Sequence, residues 1–581
     1  MVPQVPETDA TARTVKPGRA EQLAMEDIGS TQVTAHTSIA VSAIFLSFIA
    51  MVMFFDLKAL FKNDPTTGEL IAEKSIQPAN RTVMPDWWHN ISSKNRHVMN
   101  HIRQFEANLE DTSTFGRLAR PPVQNTLAPL RESSGEVMIG KDGWLFYRPS
   151  LRFLTQAQTS KEVQSAPIDN DNTNGGSRGL DASANVISQF AKDLEKRGIR
   201  LVIVPVWPKM SVHPEHFGAT ANKRDILKPH GYDTWLRRVK SSGALVFDPA
   251  PSIQKSSRSS GAAYLKTDTH WNPAAMKNCA EDLAAYLIQK NLIQTCELKP
   301  QFVPRTVSNK GDLARMMDLP SNSPHFAKED VKLLEVREDS GNRWIPKKDS
   351  SVLLLGDSFS NIYSLLGMGW GEDAGFSEHL GAALGMRIDT ILRNSDGASA
   401  TRAILSRELS RGKDRLQGKQ VVVWEFAASQ LTEGEWHPYP CDTIAQNATE
   451  ASYLEIKDQQ PMRITGTIAE MGDIPHPQST VYADFVGYMI MEDLIADRGD
   501  SVVGKKALAY GLVMKNKVPT GLADLRPGQT ISFTLHAWTY AENEFGRLQR
   551  SEPDGEAALQ PMNWITEIEL KNSDNELQSQ P

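Results

Sequence analysis

Residue types able to carry out acyl transfer occur in two short motifs, Thr267-Asp268-Thr269-His270-Trp271 and Gly356-Asp357-Ser358-Phe359-Ser360. A histidine can take the proton from a serine hydroxyl. A carboxylate on the other ring nitrogen orients the imidazole and stabilises its charged form. On that chemistry Ser358 is the candidate nucleophile, His270 the general base and acid, and Asp268 the orienting carboxylate. Residues two apart in an extended segment point to one side, so Asp268 is placed to reach Nδ1 of His270. Each motif also has an ordinary reading. Gly-Asp-Ser is a common turn tripeptide in which Ser358 or Ser360 caps a helix, and Asp-x-His-Trp can simply precede a capped helix. Whether the motifs meet in space decides between these readings.

The surrounding elements favour a meeting. The apolar run 352–355 leads through Gly356 to Ser358, and 361–366 suits a helix. Ser358 then lies at a strand-to-helix turn, where backbone N–H groups can bind an oxyanion. Asn272 is a natural N-cap and Pro273 suits the first helical position, starting a helix whose buried face is Met276, Cys279, Leu283 and Leu287. The positive end of that helix is expected to favour neutral His270. Further strands are expected at 201–206, 244–247, 388–392 and 421–426. Helices are expected at 186–194, closed by Gly198, and at 232–239. Alternating strands and helices imply parallel pairing with right-handed crossovers, and ligands bind beyond the strands' carboxyl ends. Asp142-Gly143 between apolar runs at 137–147 predicts a hairpin at the domain's entry.

The chain has 581 residues, too many for one compact core, and a net charge of −7 with no dense basic stripe. Nucleic acid is therefore not an expected partner. Residues 1–35 are polar and read as a disordered cytoplasmic tail. An uncharged run at 39–55 has nearly the length of a membrane-spanning helix, and 36–56 is read as a signal anchor. Region 57–130 is a membrane-proximal linker with a helical period at 89–109, closed by Pro121-Pro122. A catalytic α/β domain is expected over 131–440, and a β-rich domain, read as a barrel or sandwich, over 441–581. Cys279, Cys296 and Cys441 have no zinc-type spacing and read as buried small hydrophobes, with a Cys279–Cys296 disulfide left open. No metal or cofactor is expected. Lys209 is a candidate contact for an anionic sugar or else a solvated strand-end lysine. Trp271, Trp424 and Trp436 are sugar-stacking or core residues, with core packing the default.

The nucleophile motif resembles that of the SGNH hydrolase superfamily, and Asp268-x-His270 resembles its acid–histidine block shortened by one residue. Here the histidine precedes the serine. With the Gly140-Lys141-Asp142-Gly143-Trp144-Leu145-Phe146 segment, Pro205-x-x-Pro208-Lys209, His213-Pro214-Glu215, Gly311-Asp312-Leu313 and Trp424-Glu425-Phe426, that order resembles the alginate O-acetyltransferase AlgX/AlgJ family. The resemblance implies a three-layer SGNH-like α/β/α sandwich over about 131–440, together with the triad roles above. It also implies oxyanion donors: Gly397 is a weak candidate for the family glycine, and the backbone at Ser358–Phe359 supplies another. Where the SGNH pattern places an asparagine, Glu425 and Phe426 stand instead. The function implied is O-acetylation of an exopolysaccharide through an acyl-enzyme. A carbohydrate acetyl esterase or a non-catalytic polysaccharide-binding subunit are the alternatives. A polysaccharide acceptor, a membrane-embedded acetyl-donating partner and a single-pass inner-membrane location facing the periplasm follow as expectations.

Overall fold

The computed structural model describes residues 36–37, 39–47, 50–51 and 114–570, apart from 134, 156–176, 219–225, 395–396, 411, 440, 442–452, 457–459, 476, 478–479, 481, 497–505, 554–556 and 558–559. The chain divides into two compact units, Met1–Ala119 and Arg120–Pro581. In the first, the described part of the apolar run is helical, and Ile39, Val41, Ile44, Phe45, Leu46 and Met51 are exposed. Among the described residues no helix is long and apolar enough to cross a membrane. Residues 48–49 and 52–56 of the expected anchor lie outside them, as do the tail 1–35 and the helical period at 89–109. Pro121 and Pro122 do not close a segment; both lie inside the helix Thr114–Leu127. Proline's fixed φ is compatible with a helix, but each ring removes an N–H donor and crowds the carbonyl four residues earlier.

The second unit begins with the predicted hairpin, β1 (Val137–Ile139) paired antiparallel to β2 (Leu145–Tyr147). Asp142 and Gly143 both take positive φ at its turn. Then follow α1 (Leu180–Glu195), β3 (Arg200–Val206), α2 (Tyr232–Ser241), β4 (Leu245–Val246), α3 (Ala250–Ser260) and α4 (Pro273–Gln289). Next come β5 (Gln301–Asn309), α5 (Asp312–Met316), β6 (Glu329–Arg337), β7 (Val352–Gly356), α6 (Ser358–Asn361) and α7 (Phe376–Leu384). β8 (Asp389–Leu392), α8 (Ser399–Ser410), β9 (Val421–Ala427) and α9 (Gln430–Glu433) complete this half.

Five strands form one parallel sheet in the order β4-β3-β9-β7-β8. Every residue of β7 is buried, and β9 is buried through Phe426. Strands with apolar side chains on both faces need cover on both faces; α1 packs with α2, and α4 packs with both α3 and α7, giving two helix groups. The last strand, β9, inserts between β3 and β7. Trp424 pairs with Leu355, so Glu425–Ala427 run alongside Gly356–Ser358 at the carboxyl edge.

Two features depart from expectation. The helix after Ser358 is a single turn, Ser358–Asn361, and the next full helix starts at Phe376. The antiparallel pair β5–β6 was not foreseen. β5 is largely exposed and contains Pro304, so it lacks an apolar alternation. β6 does bury Val331, Leu333 and Glu335 on one face, a period-2 signal visible in the sequence.

Beyond Cys441 lie β10 (Met462–Met471), β11 (Phe485–Ala496), β12 (Ala507–Lys515), β13 (Val518–Pro519), β14 (Thr530–Ala537) and β15 (Met562–Leu570). They order as β11-β10-β14-β15-β12-β13, and β11 also pairs with β12, closing a barrel. Its core is Ile464, Ile468, Met489, Met491, Ile531, Phe533 and their neighbours. The barrel joins the α/β half through Arg547, whose guanidinium pairs with buried Glu378 at 3.3 Å and whose carbonyl accepts from Asn361 at 3.3 Å.

Candidate active site

The two motifs meet. Nε2 of His270 lies 2.9 Å from Oγ of Ser358, and Nδ1 lies 2.6 Å from Oδ1 of Asp268. Asn272 caps α4 by accepting from the N–H of Ala275, with Pro273 next, so His270 is held immediately ahead of a fixed helix start. Asp268 and His270 are buried, and Ser358 is half-buried. Asp268 is saturated: Oδ1 also accepts the N–H of His270 at 3.1 Å, and Oδ2 accepts Nε1 of Trp370 at 2.8 Å and the N–H of Asp312 at 2.9 Å. Burial alone would raise the pKa of Asp268, but the hydrogen bond and charge of His270, then Trp370 and Asp312, hold it well below the usual carboxylate range. For His270, burial pulls downward and is outweighed by Asp268 and then Asp312, so the imidazole titrates above its ordinary 6.5. The expected helix-end preference for neutral histidine is thus overridden by two adjacent carboxyls. A buried hydroxyl–imidazole–carboxylate chain with these distances can activate the hydroxyl as a nucleophile.

Asp357, not a serine, caps the turn at the nucleophile. Its Oδ1 accepts from Phe359 N–H at 2.8 Å and its Oδ2 from Ala427 N–H at 2.7 Å. Glu425 lies behind it: Oε2 accepts the hydroxyl of Ser360 at 2.5 Å and the N–H of Asp357 at 3.2 Å. Burial, followed by the charge of Asp357, pushes the Glu425 carboxyl well above its ordinary value, so Glu425 is the member of the pair that keeps a proton. The residue that stands in place of the expected asparagine block therefore braces the nucleophile turn.

The remaining sequence candidates divide. Gly397, with φ +71°, lines a cavity of about 200 Å³ together with Ser358, His270 and Asp268. The N–H of Phe359 is engaged by Asp357, so it is not a free oxyanion donor; the Phe359 ring packs 4.8 Å from that of His270. Lys209 is neither a sugar contact nor solvated. It is 3% exposed, and Nζ donates to the carbonyls of Leu145 at 2.7 Å and Lys266 at 3.3 Å. Burial brings its pKa down to about 8. It thereby ties the entry hairpin to the segment leading into Asp268. Trp271 is fully buried, with Nε1 donating to the Phe359 carbonyl at 3.1 Å, so it cannot stack on a sugar. Trp424 and Trp436 are buried against each other, with ring centroids 5.6 Å apart.

Residues not foreseen as site members are Asp312, Trp370, Arg315 and Tyr482. Asp312 sits in the Gly311-Asp312-Leu313 motif, and Oδ2 stands 3.7 Å from Nδ1 of His270. Arg315 lines the same cavity; one nitrogen donates to the Lys310 carbonyl at 2.7 Å, and its buried Nε has no hydrogen-bond partner. Among the described residues Arg315 has no carboxylate partner. Tyr482, from the barrel half, also borders this cavity, which linear sequence could not indicate. A larger cavity of about 1070 Å³, bordered by Trp344, Arg407, Trp538, Glu542 and Arg550, lies between the α/β and barrel halves and does not contain the triad.

Among the described residues two side-chain groups bring ligand-type atoms within 4.8 Å of one another: Asp268, His270 and Asp312, and His213, Glu215 and His216. In the second, Nε2 of His213 accepts the N–H of Ala263 at 3.0 Å and Nδ1 faces Glu215 at 3.4 Å, so both ring nitrogens are already used. None of the three cysteines forms a disulfide. Cys279 and Cys441 are buried and Cys296 is exposed, so Cys296 is not the buried small hydrophobe expected.

A family model described as "SGNH hydrolase-like domain, acetyltransferase AlgX" matches residues 137–428. A Pseudomonas aeruginosa protein named "Probable alginate O-acetylase AlgJ" is 25% identical over 319 residues, 53% of this chain and 74% of that one. Its Pseudomonas syringae counterpart is 26% identical over 310 residues, 52% and 72% of the two chains. Among solved structures, the O-acetyltransferase domain of Pseudomonas putida AlgJ aligns at a TM-score of 0.38 and 20% identity, covering 51% of this chain and 91% of that domain. Pseudomonas aeruginosa AlgX aligns at a TM-score of 0.35 and 17% identity, covering 64% and 89%.

Proposed function

The chain belongs to the SGNH hydrolase-like acetyltransferase AlgX family, and from that premise we propose that it transfers acetyl groups to hydroxyls of an exopolysaccharide through an acyl-enzyme on Ser358. The observation that carries this reading is the continuous Ser358–His270–Asp268 contact, 2.9 and 2.6 Å, at the bottom of a cavity. As Oγ of Ser358 attacks the acetyl carbonyl, its proton passes to Nε2 of His270 and Asp268 stabilises the imidazolium. The donor's carbonyl–oxygen bond then breaks, and His270 protonates the departing oxygen. In the second half, His270 takes the proton of a sugar hydroxyl, the sugar oxygen bonds to the acetyl carbon, and Oγ leaves and regains its proton. Arg315, a cation in the same cavity with no carboxylate partner among the described residues, supports an acceptor that carries negative charge.

The relatives named as alginate O-acetylases support a polysaccharide acceptor; a membrane-embedded partner that supplies acetyl groups belongs to the same proposal. The apolar, exposed helical residues at 39–47 are the ground for proposing an anchor over 36–56; a periplasmic catalytic unit is proposed with it. Fractionation with alkaline extraction, and protease access in spheroplasts, check that placement.

The decisive experiment incubates the full chain with an activated acetyl ester, with and without acidic oligosaccharide. Acetylated sugar that disappears in Ser358→Ala supports transfer. Ester loss without sugar acetylation indicates an esterase instead. Unchanged rates in Ser358→Ala overturn the catalytic reading and leave a non-catalytic polysaccharide-binding role.

A further inference from the structure

The family resemblance leaves one gap: no asparagine follows β9 to complete an oxyanion hole. Gln430 lies three residues beyond Ala427, the residue whose N–H is bound by Asp357 beside the nucleophile. It opens α9 and lines the same cavity as Ser358, His270 and Gly397. Its backbone is fixed, since its carbonyl accepts from Gly434 N–H at 2.9 Å and from Nε1 of Trp436 at 3.0 Å. The side chain lies beside two glycines: a methyl group built on Gly397 or Gly434 would stand 2.8 or 2.6 Å from Oε1 of Gln430, so a side chain at either position would shift the carboxamide. Among the described residues the carboxamide makes no hydrogen bond, although it is half-buried. The amide donor is unused within the described residues and borders the cavity that also holds Ser358 and His270, where an oxyanion would form.

We propose that Nε2 of Gln430 is an oxyanion donor of this site, acting beside the backbone N–H of Ser358 and serving where the SGNH pattern has an asparagine. When the Ser358 Oγ–carbon bond forms, the π pair of the acetyl carbonyl moves onto its oxygen, and that charge is what the amide N–H meets. When the carbonyl re-forms, the donor's oxygen leaves with the proton held by His270. The assignment rests on the acyl-enzyme reading above but not on the identity of the acceptor. Because Gln430 would touch the reacting oxygen, its loss is felt in the chemical step and not in binding.

The test is the burst of 4-nitrophenolate when the full chain is acylated by 4-nitrophenyl acetate without sugar. Gln430→Met keeps the volume and removes the donor; it is expected to acylate ~100-fold more slowly, with KM for the ester little changed. Gln430→Glu is expected to be at least as slow at neutral pH. Its deficit relative to wild type should narrow as the pH falls and the carboxyl gains a proton it can donate. That recovery is one a packing role would not give, and it stands even if Gln430→Met fails to fold. A Gln430→Met burst within about threefold of wild type, or a deficit lying in KM alone, overturns the assignment. A wild-type burst without transfer to any glycan removes the acceptor reading and leaves Gln430 in place, whereas no wild-type burst overturns both.

Discussion

The backbone N–H of Asp312 donates to Oδ2 of Asp268 at 2.9 Å, across 44 residues of sequence. The same residue's carboxyl stands 3.7 Å from Nδ1 of His270. Asp268 and Asp312 therefore crowd one imidazole from adjacent positions. Burial and the charge of Asp268 raise the Asp312 pKa, while that of Asp268 is lowered. The two acids are driven apart, so Asp268 keeps the full charge opposite the histidine.

Gly311 makes that approach possible. A Cβ at this position would overlap the Thr267 carbonyl and the Asp268 N–H, both backbone groups with nowhere to move. Gly311→Ala is expected to cost about 1–3 kcal/mol of stability. Displacement of Asp312 from Asp268 should lower kcat roughly 10–100-fold. Thermal melting and acylation kinetics on the same preparation measure both effects.

The pH profile follows from the direction of the His270 shift. Only the neutral imidazole accepts the serine proton, so activity should rise with pH along a limb centred above 6.5. Asp268→Asn removes the charge that favours the imidazolium. The limb should move to lower pH while the plateau falls roughly 10⁴-fold. The stability contribution has the opposite pH dependence. A raised histidine pKa stabilises the fold most below the unfolded histidine's value, and this is lost as pH rises through the folded one. The lowered pKa of Asp268 contributes above the ordinary carboxylate range and is lost in acid. Rate–pH curves and melting curves across the same range check both signs.

Lys209 connects two backbone carbonyls in the core and does not reach the cavity. Lys209→Ala removes the side-chain donor from both carbonyls, leaving that of Lys266 with the N–H of Leu145 alone, at about 1–3 kcal/mol. The melting temperature should fall by several degrees with KM for the acceptor unchanged. A rise in KM at unchanged melting temperature would return Lys209 to the substrate.

Arg315 gives the converse pattern. Arg315→Gln should leave the ester burst near wild type and raise KM for a carboxylate-bearing oligosaccharide by roughly tenfold, more at low salt than at high. A neutral oligosaccharide should show no such difference.

Local chemistry already carried the triad, the capped helix after His270, the parallel strands and the barrel. Apolar runs of strand length, Asn272-Pro273 and Asp-x-His are short-range signals, and the structure honours them. Long-range placement was harder to read. Asp312, Trp370 and Gln430 reach the site from a short helix, a glycine-rich loop and the turn after β9, and no periodicity marks them. Lys209 fits neither of its expected roles, because a side chain's type does not reveal whether a cavity or a carbonyl awaits it, whereas Trp271 takes the core position that was its default.

By itself, then, the sequence determined which groups could do the chemistry: a serine, a histidine and an aspartate, each ahead of or within a turn whose geometry follows from its own residues. Only the tertiary structure decided that β9 lies beside β7, bringing Glu425 and Ala427 against the nucleophile turn, and that two acids share one histidine. It also decided that a glutamine rather than an asparagine stands over the cavity. Those relationships depend on strand order and on backbone contacts between distant segments, which are set by the burial of the whole sheet and not by any local run of residues.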